Sequence, residues 1–429
     1  MNVDRIGWNG RDVAAEAARI RALSPPSSEI EEGAAAIVAD VRERGDAALR
    51  ELTARLDALD LDPEQLVLRV DPAEIERARA EADPELVGAL AVAARNIESV
   101  ARAELEASAD AAADLPQGQR VSVVSRPVAS TGIYAPGGRA AYPSSVLMCC
   151  VPARVAGVDR IVVATPPAED GRVHRGVLSA CSIAGVSEVY AIGGAQAIAG
   201  MAYGTETIDP VDVVVGPGNR WVNTAKRLVF GDVGVDGIAG PTELVVVLDA
   251  GADPQHLALD LLAQGEHGPD GLLAAISADP SALASLSDQL ETLAAERPSA
   301  ADARFILVAV PELGGAIELA DAIAPEHLEL AIEVGDPALA ADRVAGCVFF
   351  GPGGGAAFGD YAAGSNHVLP TGGSARFGGP LGVGAFRRRT SVVELPDQAI
   401  AGLAPRVAAL ARAEGFDVHG ESAEARSPR

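Results

Sequence analysis

The chain of 429 residues predicts an α/β protein with two parallel-sheet halves. Three observations carry that expectation. Short β-rich runs alternate with helical runs from Val121 onward, the pattern of βαβ units. The alternation comes in two series, which implies two nucleotide-fold-like halves. Several β runs end in glycine-rich loops, "YAPGGR", "VVVGPGN" and "VFFGPGGGAAFG". In open α/β sheets ligands bind beyond the carboxyl ends of strands, where small residues let a ligand approach the backbone. The length also exceeds what one simple core holds, so two or more domains are expected.

Taken in order, the chain to about Ser108 reads as helical. The segment "SSEIEEGAAAIVADVRERGDAALRELTARLD" carries apolar residues at three- and four-residue spacing. Ser28 and Glu31 resemble a capping box that starts this helix. The first series then runs through "VSVVSRPVA", a helix from Pro143 to about Ala156, "RIVVATPP", a helix from Val173 to Ala184, "SEVYAIGG" and "VDVVVGPGN". The second runs through "TELVVVLDA", the helix "LDLLAQGEHG", "FILVAVPE", a helix into "PEHLEL", and "AGCVFFGPGGG". From Asp397 the tail reads as an amphipathic helix with a polar end.

Composition narrows the function classes. At 48% hydrophobic and 22% charged residues the chain is ordinary for a soluble enzyme. No uncharged apolar run is long enough for a membrane span. The start "MNVDRIGWNGRDV" lacks a basic and then apolar leader, so a cytoplasmic protein is expected. A formal net charge of -26 would repel nucleic acid and anionic membranes. Lys226 is the only lysine, while arginine is plentiful. A GC-rich genome and a high-salt cytoplasm would each produce that bias. Cys149, Cys150, Cys181 and Cys347 follow no C-x-x-C pattern and read as buried hydrophobes.

Candidate chemistry sits on a few polar residues. The last glycine loop contains a G-x-G-x-x-A at Gly351, Gly353 and Ala356, but "LPTGGSARFGG" follows with no acid to hold a ribose. A dinucleotide fingerprint is therefore rejected there. Of the six histidines, His174 and His256 read as inert, and four lie in "AQGEHG", "APEHLEL", "GSNHVLP" and "FDVHG". One such histidine is more often a satisfied structural group. Four, each in a loop setting with acids nearby, point to a site. Gln264 and His267 share a helix face, and Asp360 ends a glycine loop. Imidazole, carboxylate and neutral oxygen suit zinc or another divalent first-row ion. Glu326 and His327 lie side by side after a proline, where both can enter one cleft as bases.

The motifs "IYAPGGRAAYPSSVLM", "GGAQAIAGMAYGT", "VVVGPGNRWVNTAKR", "GPTELVVV", "LDLLAQGEHG", "PEHLEL", "GGGAAFGDYAAGSNHVLPT", "SARF" and "EGFDVH" together resemble histidinol dehydrogenases over nearly the whole chain. The resemblance implies zinc- and NAD-dependent four-electron oxidation of L-histidinol, through L-histidinal, to L-histidine, the last step of histidine biosynthesis. It implies two incomplete Rossmann-like domains, small helical terminal parts and a domain-swapped homodimer. The boundaries it suggests are 1–125 for a helical N-terminal part and 126–239 for an NAD-side unit. Residues 240–385 then form a unit with the zinc and catalytic residues, and 386–429 an exchanged tail.

By the same resemblance, Gln264, His267, Asp360 and His419 hold one Zn2+ per subunit, with Glu266 beside them. The metal chiefly orients substrate. His327 is the base for both hydride steps, and Glu326 activates water on the aldehyde. Tyr134, Gln196 and Asn219 contact NAD. Thr242, Glu414 and His367 join the zinc ligands and His327 around the substrate. Glu414 and His419 come from the partner subunit. Gly265 and Gly268 depart from what is expected at a helix end, and Gly265 puts the ligand helix's rigidity in question. Three rivals are a related dehydrogenase for another alcohol, a zinc hydrolase using Glu326, and a non-catalytic binding protein. Only the dehydrogenases require NAD.

Overall fold

The computed structural model describes residues 2–23, 30–57, 61–137, 141–333, 338–351 and 353–428. Two all-parallel sheets dominate. The first has five strands in the order Glu188–Ala191, Arg160–Thr165, Ser130–Tyr134, Val213–Val215, Gly234–Val235. One face packs under the helices Pro84–Ala107, Pro143–Ala156 and Arg175–Ala184. The other lies under Ile30–Arg44, Asp46–Leu56, Gly194–Tyr203 and Arg220–Val229. Val163 therefore faces one core while Val162 and Ala164 face the other. Burial on both faces is why this strand reads as continuously apolar and does not alternate.

The second sheet has six strands in the order Asn2–Gly7, Arg304–Ala309, Leu272–Ser277, Glu243–Leu248, His327–Ala331, Cys347–Phe350. Helices Val13–Arg21 and Leu313–Ile323 cover one face; Pro254–Gly265 and Pro280–Ala294 cover the other. A small antiparallel sheet pairs Arg387–Glu394 with Arg120–Pro127, and that strand with Ala111–Asp114. The tail ends in two helices, Asp397–Ala413 and Asp417–Glu424. Among the described residues no helix is long and apolar enough to cross a membrane.

The α/β class and the parallel sheets match the sequence reading, with local differences. The opening segment is a strand, not a helix: Asn2–Gly7 pairs with Arg304–Ala309. Its partner is some three hundred residues away, and this edge strand, with two charges in six residues and none of them buried, shows no apolar run. The run "VSVVSRPVA" lies in the antiparallel sheet, and Ser130–Tyr134 enters the parallel one. Its alternating polar residues are those of a sheet with one wet face. "PEHLEL" continues into a strand, because the preceding helix stops at Ala324 in the left-handed region, φ 50°. Leu272–Ser277 is a further strand that the sequence reading passed over. Ser28, of the expected capping box, lies outside the described residues; the helix begins at Ile30.

Candidate active site

A cleft of about 1310 Å³ lies between the two sheets. Its walls follow from strand direction. Tyr134, Pro136 and Gly216–Asn219 come from the carboxyl edge of the first sheet. Thr242, Gly271, Glu326 and His327 come from the amino edge of the second. The carboxyl-end expectation therefore holds for the first sheet and fails for the second. Among the described residues, none of the loop after Cys347–Phe350 lines the cleft; the short helix Ala356–Tyr361 beyond it delivers Asp360.

At the second sheet's edge the polar groups interlock. Thr242 Oγ1 lies 2.7 Å from Glu326 Oε2 and 2.9 Å from Gln264 Oε1. Gln264 Nε2 donates to Asp360 Oδ2 at 2.9 Å. The Glu243 backbone N–H donates to Glu326 Oε2 at 2.9 Å. Its carbonyl lies 3.2 Å from His327 Nδ1, and a carbonyl only accepts, so Nδ1 carries a proton. His327 Nε2 is then the nitrogen free to exchange protons, 3.2 Å from Asp360 Oδ1. Burial opposes charge on this imidazole, but Glu326 and Asp360 outweigh it and hold its pKa well above the ordinary histidine value. His367 behaves oppositely: burial lowers its pKa, although Asp360 lies near. Its ring spans Ser145 Oγ at 3.1 Å and the Asp360 carbonyl at 2.8 Å.

His267 lines the cleft, exposed, one turn beyond Gln264. Gly265 between them is the last residue of its helix, and a Cβ there would lie 2.9 Å from Ala303 Cβ. Close packing therefore requires glycine and fixes the helix end that carries Gln264. Gly268, at φ 131°, turns the chain away in a conformation side chains rarely adopt.

At the other wall Tyr134 Oη accepts from Gly194 N–H at 3.2 Å. Gln196 lies two residues further into the same helix, 1% exposed, and neither amide atom has a partner among the described residues. A buried amide without partners is costly unless a ligand completes it. Asn219 Oδ1 caps the helix Arg220–Val229, accepting from Trp221 and Val222 N–H. Lys226 and Asp236 form a buried ion pair below, and both hold Gly216, by its carbonyl and its N–H. The sole lysine thus braces the glycine loop.

One chain gathers Thr242, Gln264, His267, Glu326, His327, Asp360, His367, Tyr134 and Asn219 around the cleft. Gln196 lies just behind, and Glu414 and His419 are exposed on the tail, outside it. Among the described residues no three histidine, cysteine or acidic side chains form a metal cluster.

The whole chain has known relatives. Residues 23–427 match the family model described as histidinol dehydrogenase. The histidinol dehydrogenase of Rhizobium meliloti (strain 1021) is 46% identical over 397 residues, 90% of this chain and 89% of that protein. That of Rhodospirillum rubrum is 43% identical and aligns over 99% of both chains. The crystal structure of histidinol dehydrogenase from Elizabethkingia anophelis superposes with a TM-score of 0.88 at 30% identity, covering 99% of this chain and 98% of that one. The chain belongs to the histidinol dehydrogenase family. This membership agrees with the resemblance carried by the motifs.

Sequence reading missed two neighbours of the site, Glu243 and Glu329. Each is an acid inside an apolar strand run, which was the available signal. Glu329 is 1% exposed; its Oε1 accepts from Ala356 N–H at 2.8 Å, and its Oε2 has no partner among the described residues. Burial, then the nearby Asp260, push its pKa from 4.5 to about 8. Between those values the folded chain keeps a proton that the unfolded chain has released, so stability falls as pH rises through this window. Glu329→Gln should therefore lose less stability than the parent from about pH 5 to about pH 8, read as denaturation midpoints. Parallel pH dependences in the two proteins would contradict the assignment.

Proposed function

We propose that this chain oxidises L-histidinol through L-histidinal to L-histidine with NAD, in a zinc-loaded homodimer. The observation that carries the reading is the Glu326–His327 pair: two bases held by the backbone of one residue, Glu243, beside Gln264 and Asp360, in a cleft whose far wall is glycine-rich. Family membership supplies the substrate class.

The donor set fits zinc. Gln264 and Asp360 already touch, and His267 stands one turn away on the cleft wall. The residues proposed to hold the ion are Gln264, His267, Asp360 and the partner subunit's His419. Bound zinc would supply a template that orients the substrate's nitrogen and oxygen atoms. NAD fits the opposite wall, lined by Tyr134 and Asn219 with the buried Gln196 amide, unpartnered among the described residues, behind it, and its chemistry there is to accept hydride.

The chain's own groups handle protons. With Asp360 committed to the ion it no longer holds a proton on His327, and Nε2 takes the alcohol proton in the first oxidation. Glu326 then removes a proton from the water that adds to the aldehyde, while His327 returns its proton to the aldehyde oxygen to give the diol. His327 takes the hydroxyl proton of the resulting diol in the second. The Nδ1–H bond to Glu243 keeps the same imidazole nitrogen available for both. Thr242 and His367 border the substrate, and the partner subunit's Glu414 joins them. The tail supports an exchanged arrangement, since Val407, Leu410, Phe416 and Val418 leave apolar surface exposed near His419.

His327→Asn should slow both oxidations by about 10²–10⁴-fold. Glu326→Gln should slow histidinal oxidation by a similar factor and histidinol oxidation much less. Single-turnover NADH formation from each substrate checks this. Equal loss of both steps in Glu326→Gln would count against separate roles. The shared site has its own test. Neither His327→Asn nor His419→Ala should be active alone, yet subunit exchange between them should restore activity, because one site of each mixed dimer is intact. No recovery in verified mixed dimers would mean that His419 acts within its own chain.

A further inference from the structure

Glu326 and His327 are held by the Glu243 peptide, and the Glu243 side chain is itself held. Its carboxylate accepts from Arg21 Nη1 at 2.8 Å and Nη2 at 3.3 Å, from Gly372 N–H at 2.9 Å, and from Glu326 N–H at 3.3 Å. The residue is 5% exposed, so its charge has little help from water. The same guanidinium reaches the segment that leads into the reacting pair. Arg21 Nε donates to the Ile323 carbonyl at 2.9 Å and Nη2 to the Ala324 carbonyl at 3.2 Å. These carbonyls end the helix Leu313–Ile323. Ala324 is a non-glycine residue at φ 50°, a conformation that persists only when its surroundings fix it. Pro325 and Glu326 follow directly.

One side chain thus holds both supports of the pair: the turn that delivers Glu326 and the strand residue whose N–H binds Glu326 Oε2 and whose carbonyl binds His327 Nδ1. Arg21 does not line the cleft, and it belongs to the N-terminal helix Val13–Arg21. We infer that Arg21 is a positioning residue for the reaction, acting through Glu243 and the Ile323–Ala324 turn to set the Glu326 carboxylate and the His327 imidazole. The inference rests on the reading of Glu326 and His327 as the reacting pair. A planar fork suits this work because it serves a carboxylate and two carbonyls at fixed angles; an ammonium would not reproduce it.

The test uses the zinc-loaded enzyme and measures kcat and KM for L-histidinol and NAD. A displacement of reacting groups by about 1 Å costs about 100-fold in rate. Arg21→Met should therefore lower kcat by about that factor, with both KM values within about threefold of the parent. Arg21→Lys should recover part of the loss. The control is Arg304→Met. Arg304 also anchors the N-terminal segment, through Asp4 at 2.5 Å and the Leu23 carbonyl at 3.2 Å, without touching Glu243. It should keep the parental kcat. If Arg21→Met does not fold, Arg21→Lys decides, with a kcat loss at unchanged KM expected. Arg21 variants with parental kcat, or an equal loss in Arg304→Met, would overturn the inference. Glu326→Gln and His327→Asn are measured alongside: if these keep full activity, the reading of the pair has failed, and not the role of Arg21 alone.

Discussion

Everything at this site depends on two parallel sheets meeting with opposite polarity. The carboxyl edge of one faces the amino edge of the other across the cleft. Covering helices run back against their strands, so those of the second sheet end at its amino edge. The helix Pro254–Gly265 therefore delivers Gln264 and His267 to the place where the strands begin with Glu243 and His327. The first sheet contributes glycine-rich turns and a helix start, the usual ligand edge of an α/β sheet. The walls differ accordingly: glycine-rich backbone and a helix start on one side, the cluster of Glu326, His327 and Asp360 on the other.

The ionisable wall is physically demanding. Glu243, Glu326, His327 and Asp360 are all largely withdrawn from water. Such groups persist only when hydrogen bonds and opposite charges compensate them. Each one here is compensated by another: Asp360 by His327 and Gln264, Glu326 by Thr242 and the Glu243 peptide, Glu243 by Arg21. Asp360 shows the balance. Burial alone would raise its pKa, yet His327 brings it below the ordinary aspartate value. An arrangement this interdependent leaves little freedom for any side chain to drift, which is what chemistry on a small polar substrate requires.

Much of this was legible in the chain. The βαβ alternation predicts the sheets, and the polar end of "LDLLAQGEHG" marks a helix terminus that lines the cleft. Local pattern singles out Glu326, His327 and Asp360, the family resemblance adds Gln264 as a ligand, and all four side chains meet in one cleft. Less legible was what depends on distant pairing. The strand Asn2–Gly7 carries no strong period, because its environment is supplied by Arg304–Ala309. The helix expected at "PEHLEL" gives way to a strand, since both of its faces are buried and periodicity alone does not separate the two. Arg21 had no signal at all; an arginine near a helix end is ordinary until the fold brings Glu243 beside it. Gly265 looked like a weak point and is instead a packing requirement.

The central claim is that one pair of bases in one cleft serves two successive oxidations. The most direct measurement is a count: zinc-loaded protein, limiting L-histidinol, excess NAD, and the NADH formed per histidinol consumed. The account predicts two, with L-histidine as the product. One NADH per histidinol with free histidinal released, or no NADH from the intact zinc-loaded protein, would contradict it.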